Sequence, residues 1–146
     1  MVRSPVLVIN SGSSSLKFSV FDMHTGREVL AGLAERLGTA EALMSWQGEG
    51  AKQHRAIPDQ GHDGALREVH SLLDDVGTLV AIGHRVVHGG EAFSGSVVID
   101  EAVIEGIEGC ASLAPLHNPA NLLGIRAMQR LYPSVPQVAV LDRKST

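Results

Sequence analysis

The sequence is poor in several residue types, and each shortage excludes a class of protein. It holds one cysteine, Cys110, so an internal disulfide is impossible, which fits a reducing cytoplasm. Its net charge is -4 and it has no long basic run, so we expect neither a nucleic acid nor a membrane as partner. No apolar run approaches the roughly 20 residues that cross a bilayer. We therefore expect a soluble, cytoplasmic protein.

Aromatic residues are also scarce, at 3% of the chain, whereas hydrophobic residues of all kinds make up 44%. The core must therefore be built mainly from Val, Leu, Ile and Ala. A chain of 146 residues fits one domain, which can bury ~70% of the surface that its unfolded form exposes.

The first 60 residues carry the patterns of strands. Residues 6–10 are apolar on both alternating faces, which is typical of a strand buried on both sides. A Ser/Gly turn separates them from a second strand, Leu16–Asp22, and a third is predicted over Arg27–Leu37. Residues 42–58 read as strand and turn.

Helices alternate with strands in the remainder. Helical periodicity predicts a helix over His62–Val76, and an apolar run predicts a strand over Leu79–Val87. A further helix is predicted after Asp100, which can cap it. Asn118-Pro119 marks a further helix start, and Val138–Leu141 is the last strand. This order predicts an α/β fold with a mixed sheet flanked by helices.

Phosphate-binding chemistry is indicated where the first strand ends. Residues 10–15 read Asn-Ser-Gly-Ser-Ser-Ser, and Lys17 lies just inside the next strand. A turn of small residues exposes backbone N–H groups and hydroxyls that can donate to phosphate oxygens. A P-loop is excluded because no second Gly precedes the lysine, Phe18 stands where a P-loop has Ser or Thr, and a strand rather than a helix follows. An ordinary polar hairpin is the alternative.

Three charged or titratable residues strengthen the phosphate interpretation. Arg85 lies in an otherwise apolar strand, where it needs a structural carboxylate or an anionic substrate as partner. His117 directly precedes the predicted helix start at Asn118, whose positive field attracts anions and favours neutral imidazole. Asp142 ends the last strand, a usual position for catalytic groups in such sheets.

Four segments together resemble the acetate kinase family, which is grouped with the sugar kinases, Hsp70 and actin. They are VLVINSGSSSLKF, GHRVVHGGE, APLHNPANL and PQVAVLD, and they occur in the family's order between Val6 and Asp142. The resemblance implies a ribonuclease H-like βββαβα lobe, one half of a two-lobed kinase. It also implies reversible transfer of the ATP γ-phosphoryl group to acetate, with Mg²⁺, giving acetyl phosphate and ADP.

The resemblance further implies roles for nine residues. Phosphate or ATP contacts fall to Asn10, Ser13, Ser15 and Lys17, catalysis to Arg85, His117 and Asp142, the substrate pocket to Arg85, Val87 and Leu116, and the metal to Asn10 and Asp142. A short-chain carboxylate is already ionised at pH 7 and needs no general base. Asp142 is therefore expected to orient Mg²⁺ or its water.

The last four residues depart from the family pattern. The family continues with Thr-Ala-Phe-His, whereas this chain reads Arg-Lys-Ser-Thr at 143–146. We therefore expect residues 1–142 to form an N-terminal lobe and 143–146 a non-matching tail, with the second lobe absent. Such a chain is expected to be inactive alone, and the homodimer of the full-length family is doubtful for it.

Other functions stay open at this stage. They include a non-catalytic interaction module, a propionate or butyrate kinase lobe, and a metal hydrolase that uses the histidines. His84 and His88 are four residues apart but lie on a predicted strand and turn, so packing is favoured over a zinc site. The sequence places four histidines in turns or on the surface: His24, His54, His62 and His70. Trp46 reads as a core or edge-strand residue.

Overall fold

The computed structural model describes residues 4–86, 95–100, 104–105 and 118–141. Within these ranges the chain forms eight strands, two helices whose bounds are described and one 3-10 turn, and residues 104–105 are helical as well. In chain order the elements are β1 (Pro5–Ser11), β2 (Leu16–Asp22), β3 (Arg27–Glu35), β4 (Leu43–Gln47), β5 (Gln53–Ala56), α1 (His62–Leu72), the 3-10 turn (Leu73–Asp75), β6 (Ala81–Val86), β7 (Gly95–Val98), α2 (Asn118–Leu131) and β8 (Gln137–Leu141).

The strands form a single mixed sheet in the order β5-β4-β3-β2-β1-β6-β8-β7. The pairs β1–β6 and β6–β8 are parallel, and the other neighbouring pairs are antiparallel. The central order β3-β2-β1-β6-β8, with α1 before β6 and α2 before β8, is that of a ribonuclease H-like lobe. The predicted α/β class and mixed sheet are confirmed.

One face of the sheet carries the core. Leu7 and Ile9 of β1 are fully buried there together with Phe18 of β2, and apolar residues of both helices pack against them. The helical contributors are Ala65, Leu66 and Val69 of α1 and Ala127 and Met128 of α2. On the opposite face of β1, Val6 and Val8 are only half-buried. The expectation of burial on both sides is therefore met on one face only.

Several boundaries differ from those predicted. β3 ends at Glu35 rather than Leu37 because Arg36 takes a left-handed backbone conformation, with φ at 54°. Helix α1 ends at Leu72 and tightens into the 3-10 turn, a common ending for an α-helix. The strand predicted from Leu79 begins only at Ala81. Residues 42–58 contain two short strands, β4 and β5.

The helices agree more closely with their predictions. Helix α2 begins at Asn118 and ends at Leu131, just before the predicted stop at Pro133. Ile104 N–H donates to the Asp100 carbonyl at 3.0 Å, so helical backbone occurs where the helix capped by Asp100 is predicted. Among the described residues, no helix combines the length and the apolar character needed to cross a membrane.

We expect Gly32→Ala to destabilise the sheet. A Cβ at Gly32 would lie 2.4 Å from the Phe18 ring and 2.7 Å from the Ser45 carbonyl oxygen, so ring or backbone must shift. The expected loss is ~1–3 kcal/mol in the free energy of unfolding, measured by urea denaturation. Gly50→Ala is the control, because a Cβ there meets nothing within 4 Å. Equal stability of the two variants would contradict this packing.

Candidate active site

Three polar side chains lie side by side where β1 and β6 end and β2 begins. Asn10 of β1 is paired with Lys17 of β2. Ile9 is paired with His84 on the parallel strand β6, so Asn10 and Arg85 are the next residues along that pair. Residues at matching positions of neighbouring strands point to the same face. We call Asn10, Lys17 and Arg85 the strand-end cluster; it spans two strand spacings, roughly 10 Å.

All members of the strand-end cluster are solvent-exposed. The described neighbours that alternate with them along the strands are buried: Ile9, Ser11, Leu16, Phe18 and His84. Arg85 therefore differs from its prediction: it does not need a structural carboxylate, because the end of β6 leaves it in solvent. Within the described ranges, no ion pair to Arg85 or Lys17 is present. Two positive charges are thus available to an anion at this end of the sheet.

The turn between β1 and β2 lies next to this cluster. We call Gly12–Ser15 the serine turn. Ser13 and Ser14 are exposed and Ser15 is half-buried. Gly12 N–H donates to the Ser15 carbonyl at 2.9 Å, and Leu37 N–H donates to the Ser14 carbonyl at 2.9 Å. The predicted phosphate residues Asn10, Ser13, Ser15 and Lys17 are therefore brought together.

Two histidines predicted as turn or surface residues are half-buried instead. His62, the first residue of α1, lies with its Nε2 at 2.6 Å from the Gly12 carbonyl oxygen. His70 Nδ1 lies 2.7 Å from the Tyr132 hydroxyl. Burial, followed by the charge of Asp74, raises the pKa of Tyr132 to about 12, so the phenol stays protonated at neutral pH. These contacts were missed because the partners are 50 and 62 residues apart in the chain.

His84 forms a buried polar link beneath the strand-end cluster. Its Nε2 lies 2.5 Å from Gln137 Oε1, and Gln137 Nε2 donates to the Ile125 carbonyl at 3.3 Å. Since the amide oxygen can only accept, His84 Nε2 carries the proton. Burial lowers the pKa of His84 to about 4, with the Gln137 hydrogen bond opposing that effect. A neutral histidine thus joins β6, β8 and α2.

Ser11 is a further residue that sequence reasoning left without a role of its own. Its side chain is 2% exposed, and among the described residues its Oγ has no hydrogen-bond partner. A Cβ added to Gly124 of α2 would lie 3.2 Å from this oxygen, so the glycine permits the helix to approach the end of β1. A buried hydroxyl without a hydrogen-bond partner is uncommon in folded proteins, so Ser11 is a further candidate for a functional role at this end of β1.

Several predicted site residues lie outside the described residues. They are Val87, His88, Leu116, His117 and Asp142. Helix α2 begins immediately after His117, and β8 ends immediately before Asp142. Their assigned roles stay predictions.

The described residues offer little for a resident metal. Among them there is no group of three or more His, Cys, Asp or Glu side chains that could hold one. His84, one half of the possible zinc pair, uses its Nε2 for the bond to Gln137. Asn10 contributes one exposed amide oxygen beside the serine turn. That donor set fits a weakly held, water-rich ion better than a zinc centre.

Comparison with known proteins decides the family. The model of the acetokinase family matches residues 5–145 of this chain. The chain belongs to the acetokinase family. It is 50% identical over 147 residues to acetate kinase 2 of Vibrio cholerae serotype O1 and 50% identical over 151 residues to acetate kinase of Shewanella amazonensis. Both alignments cover 97% of this chain and 37% of the relative.

Solved acetokinase structures share the fold. A propionate kinase from Francisella tularensis has a TM-score of 0.91 at 41% identity, and acetate kinase from Porphyromonas gingivalis has 0.88 at 40%. Each comparison covers 95% of this chain and 37% of the solved one. This chain therefore corresponds to one lobe of the acetokinases and spans just over a third of their length.

We expect His84 to make folding sensitive to moderate acid. The unfolded chain takes up a proton near pH 6.5, whereas folded His84 resists protonation down to about pH 4, so stability is lost as pH falls between these values. From pH 7 to pH 5 this residue should remove about 2 kcal/mol from the free energy of unfolding.

The measurement is urea denaturation across that pH range, on the unchanged protein and on His84→Gln. The variant should lose less stability on acidification, because Gln has no titrating group. His24→Gln, in an exposed turn, should follow the unchanged protein. Parallel pH curves for the unchanged protein and His84→Gln would contradict the buried neutral histidine.

Proposed function

We propose that this chain is the substrate-binding lobe of a short-chain acyl kinase. The reaction is reversible transfer of the γ-phosphoryl group from ATP to acetate, giving acetyl phosphate and ADP. The observation that carries the proposal is the convergence of the serine turn with the strand-end cluster at one end of the sheet. Membership of the acetokinase family supports it.

The charges suit the chemistry of phosphoryl transfer. Such reactions need positioning and charge neutralisation more than covalent help, and one well-placed arginine can be worth ~10³–10⁵ in rate. Exposed Arg85 can pair bidentately with a carboxylate or phosphoryl group, and Lys17 adds a second positive charge. The serine turn contributes hydroxyls and backbone N–H donors to phosphate oxygens. The acetate carboxylate attacks without a general base because it is already ionised.

Mg²⁺ is proposed as the companion of ATP. This ion keeps several waters and takes one or two protein oxygens in addition to the substrate phosphates. When bound, it would offset the negative charge of the phosphates. Asn10 at the end of β1 and Asp142 immediately after β8 are the residues proposed to hold it or its water. His117, immediately before α2, is proposed to stabilise the transition state as a neutral donor.

The acyl chain is proposed to be short. Solved neighbours include both a propionate kinase and an acetate kinase. One methylene changes binding by only ~1–3 kcal/mol in an apolar pocket, so closely related sites can prefer either acid. Val87 and Leu116 are proposed as walls of this pocket.

We expect Arg85→Ala to weaken binding of acetyl phosphate to the 146-residue chain by about tenfold or more, because a charge-assisted contact is lost. Isothermal titration calorimetry gives the affinity. Arg27→Ala is the control, since Arg27 is exposed at the start of β3, away from the strand-end cluster. The assignment of Arg85 is wrong if both variants bind acetyl phosphate as the unchanged protein does.

We also expect negligible acetyl phosphate synthesis by these 146 residues alone. The chain spans only 37% of its relatives, and transfer requires ATP to be held against the acceptor in a closed cleft. Hydroxylamine trapping of acetyl phosphate, with ATP, Mg²⁺ and acetate supplied, measures this directly. Turnover near that of a full-length relative such as the Vibrio cholerae enzyme would contradict the expectation.

A further inference from the structure

We propose that His62 is a positioning residue that holds the serine turn in its phosphate-binding conformation. The phosphate-binding role of the turn rests on the proposed function, whereas the contact between His62 and the turn is independent of it. His62 Nε2 lies 2.6 Å from the Gly12 carbonyl oxygen. A carbonyl can only accept, so Nε2 carries the proton and donates it to this bond.

The bond replaces one that the hairpin would normally make for itself. Gly12 and Ser15 face each other across the turn, and Gly12 N–H donates to the Ser15 carbonyl. In a closed antiparallel pair, the Ser15 N–H would return a bond to the Gly12 carbonyl. That return bond is not formed here, and the imidazole of His62 donates to the carbonyl instead.

As a consequence, the serine turn keeps free donors. Among the described residues, no backbone acceptor is present for the N–H groups of Ser13, Ser14 and Ser15. Neither Ser13 nor Ser14 has the positive φ that closes two-residue hairpins of the favoured types. Three successive N–H groups without backbone acceptors are the donors that an anion-binding turn requires.

A ring of contacts holds His62 in place. Leu37 N–H donates to the Ser14 carbonyl, and the next residue, Gly38, donates to the Gln60 carbonyl at 2.7 Å. Gln60 lies two residues before His62, so the loop after β3 ties the serine turn to the chain that enters α1. At the start of α1, Asp63 pairs with Arg130 of α2 at 2.8 Å. The backbone on both sides of His62 is therefore fixed by contacts, and this fixes the position from which the imidazole reaches Gly12.

The test compares two substitutions at His62. His62→Leu removes the donor at similar volume, whereas the side-chain amide of His62→Gln places an N–H donor at about the reach of Nε2. His54→Leu is the matched control, because His54 lies on the exposed strand β5 and, among the described residues, its side chain bonds the Ser45 hydroxyl alone, at 3.1 Å. The probe is inorganic phosphate, titrated into the ¹⁵N-labelled 146-residue chain and followed at the Ser13–Ser15 amides.

We expect His62→Leu to weaken phosphate binding about tenfold, the loss of one positioning hydrogen bond, whereas His62→Gln and His54→Leu stay close to the unchanged protein. A loss in His62→Leu that Gln restores separates positioning from a general loss of stability. Unchanged phosphate affinity in His62→Leu would overturn the proposal.

A second readout needs no ligand and separates this proposal from the proposed function. If phosphate shifts no serine-turn amide in the unchanged protein, the phosphate role of the turn fails. His62 is then judged by ¹⁵N heteronuclear NOEs of Ser13–Ser15, which should fall in His62→Leu and be restored in His62→Gln. Unchanged NOEs in His62→Leu would show that His62 does not hold the turn.

Discussion

The parallel pairing of β1 with β6 is the constraint on which the candidate site depends. It brings together residues that are 75 positions apart in the chain, such as Ile9 and His84. Because the register is set by buried residues on the core face, the exposed residues that alternate with them are aligned as well. If β6 slipped by one residue against β1, Arg85 would turn into the core and His84 would be exposed.

The two faces of the sheet differ in charge and burial where β1 and β6 end. The outer face carries the positive charges of Lys17 and Arg85 in solvent, where they can meet an anion. The inner face carries neutral polar links: His84 to Gln137, and Gln137 to the backbone of α2. Keeping His84 neutral avoids a buried charge directly behind Arg85. The links also tie α2 to the sheet, and α2 begins immediately after His117.

Much of this arrangement could be predicted from the sequence, and the physical reasons are local. Alternation and turn residues predicted β1, the serine turn and β2, and the pair Asn118-Pro119 predicted the start of α2. Arg85 was recognised because arginine is unusual in an apolar strand. The exposure of the Arg85 side chain was not predicted. It depends on where β6 ends against its neighbouring strands, and those strands are distant in the sequence.

The missed residues share one property: their partners are distant in the chain. His62 meets Gly12 across 50 residues, and His84 meets Gln137 across 53. No local spacing marks such pairs. The sequence therefore predicted only a turn or surface position for His62 and packing for His84. The left-handed conformation of Arg36, which ends β3, could not be predicted from the sequence either, because arginine has no intrinsic preference for it.

We propose that the serine turn and the strand-end cluster form one anion site. Chemical-shift mapping of the whole ¹⁵N-labelled chain with acetyl phosphate tests it most directly. We expect shifts that saturate together at Ser13–Lys17 and at Arg85, with none at the distant strand β5, where exposed Arg55 pairs with Glu68. Shifts centred on β5, or shifts at the turn that leave Arg85 unmoved, would contradict it.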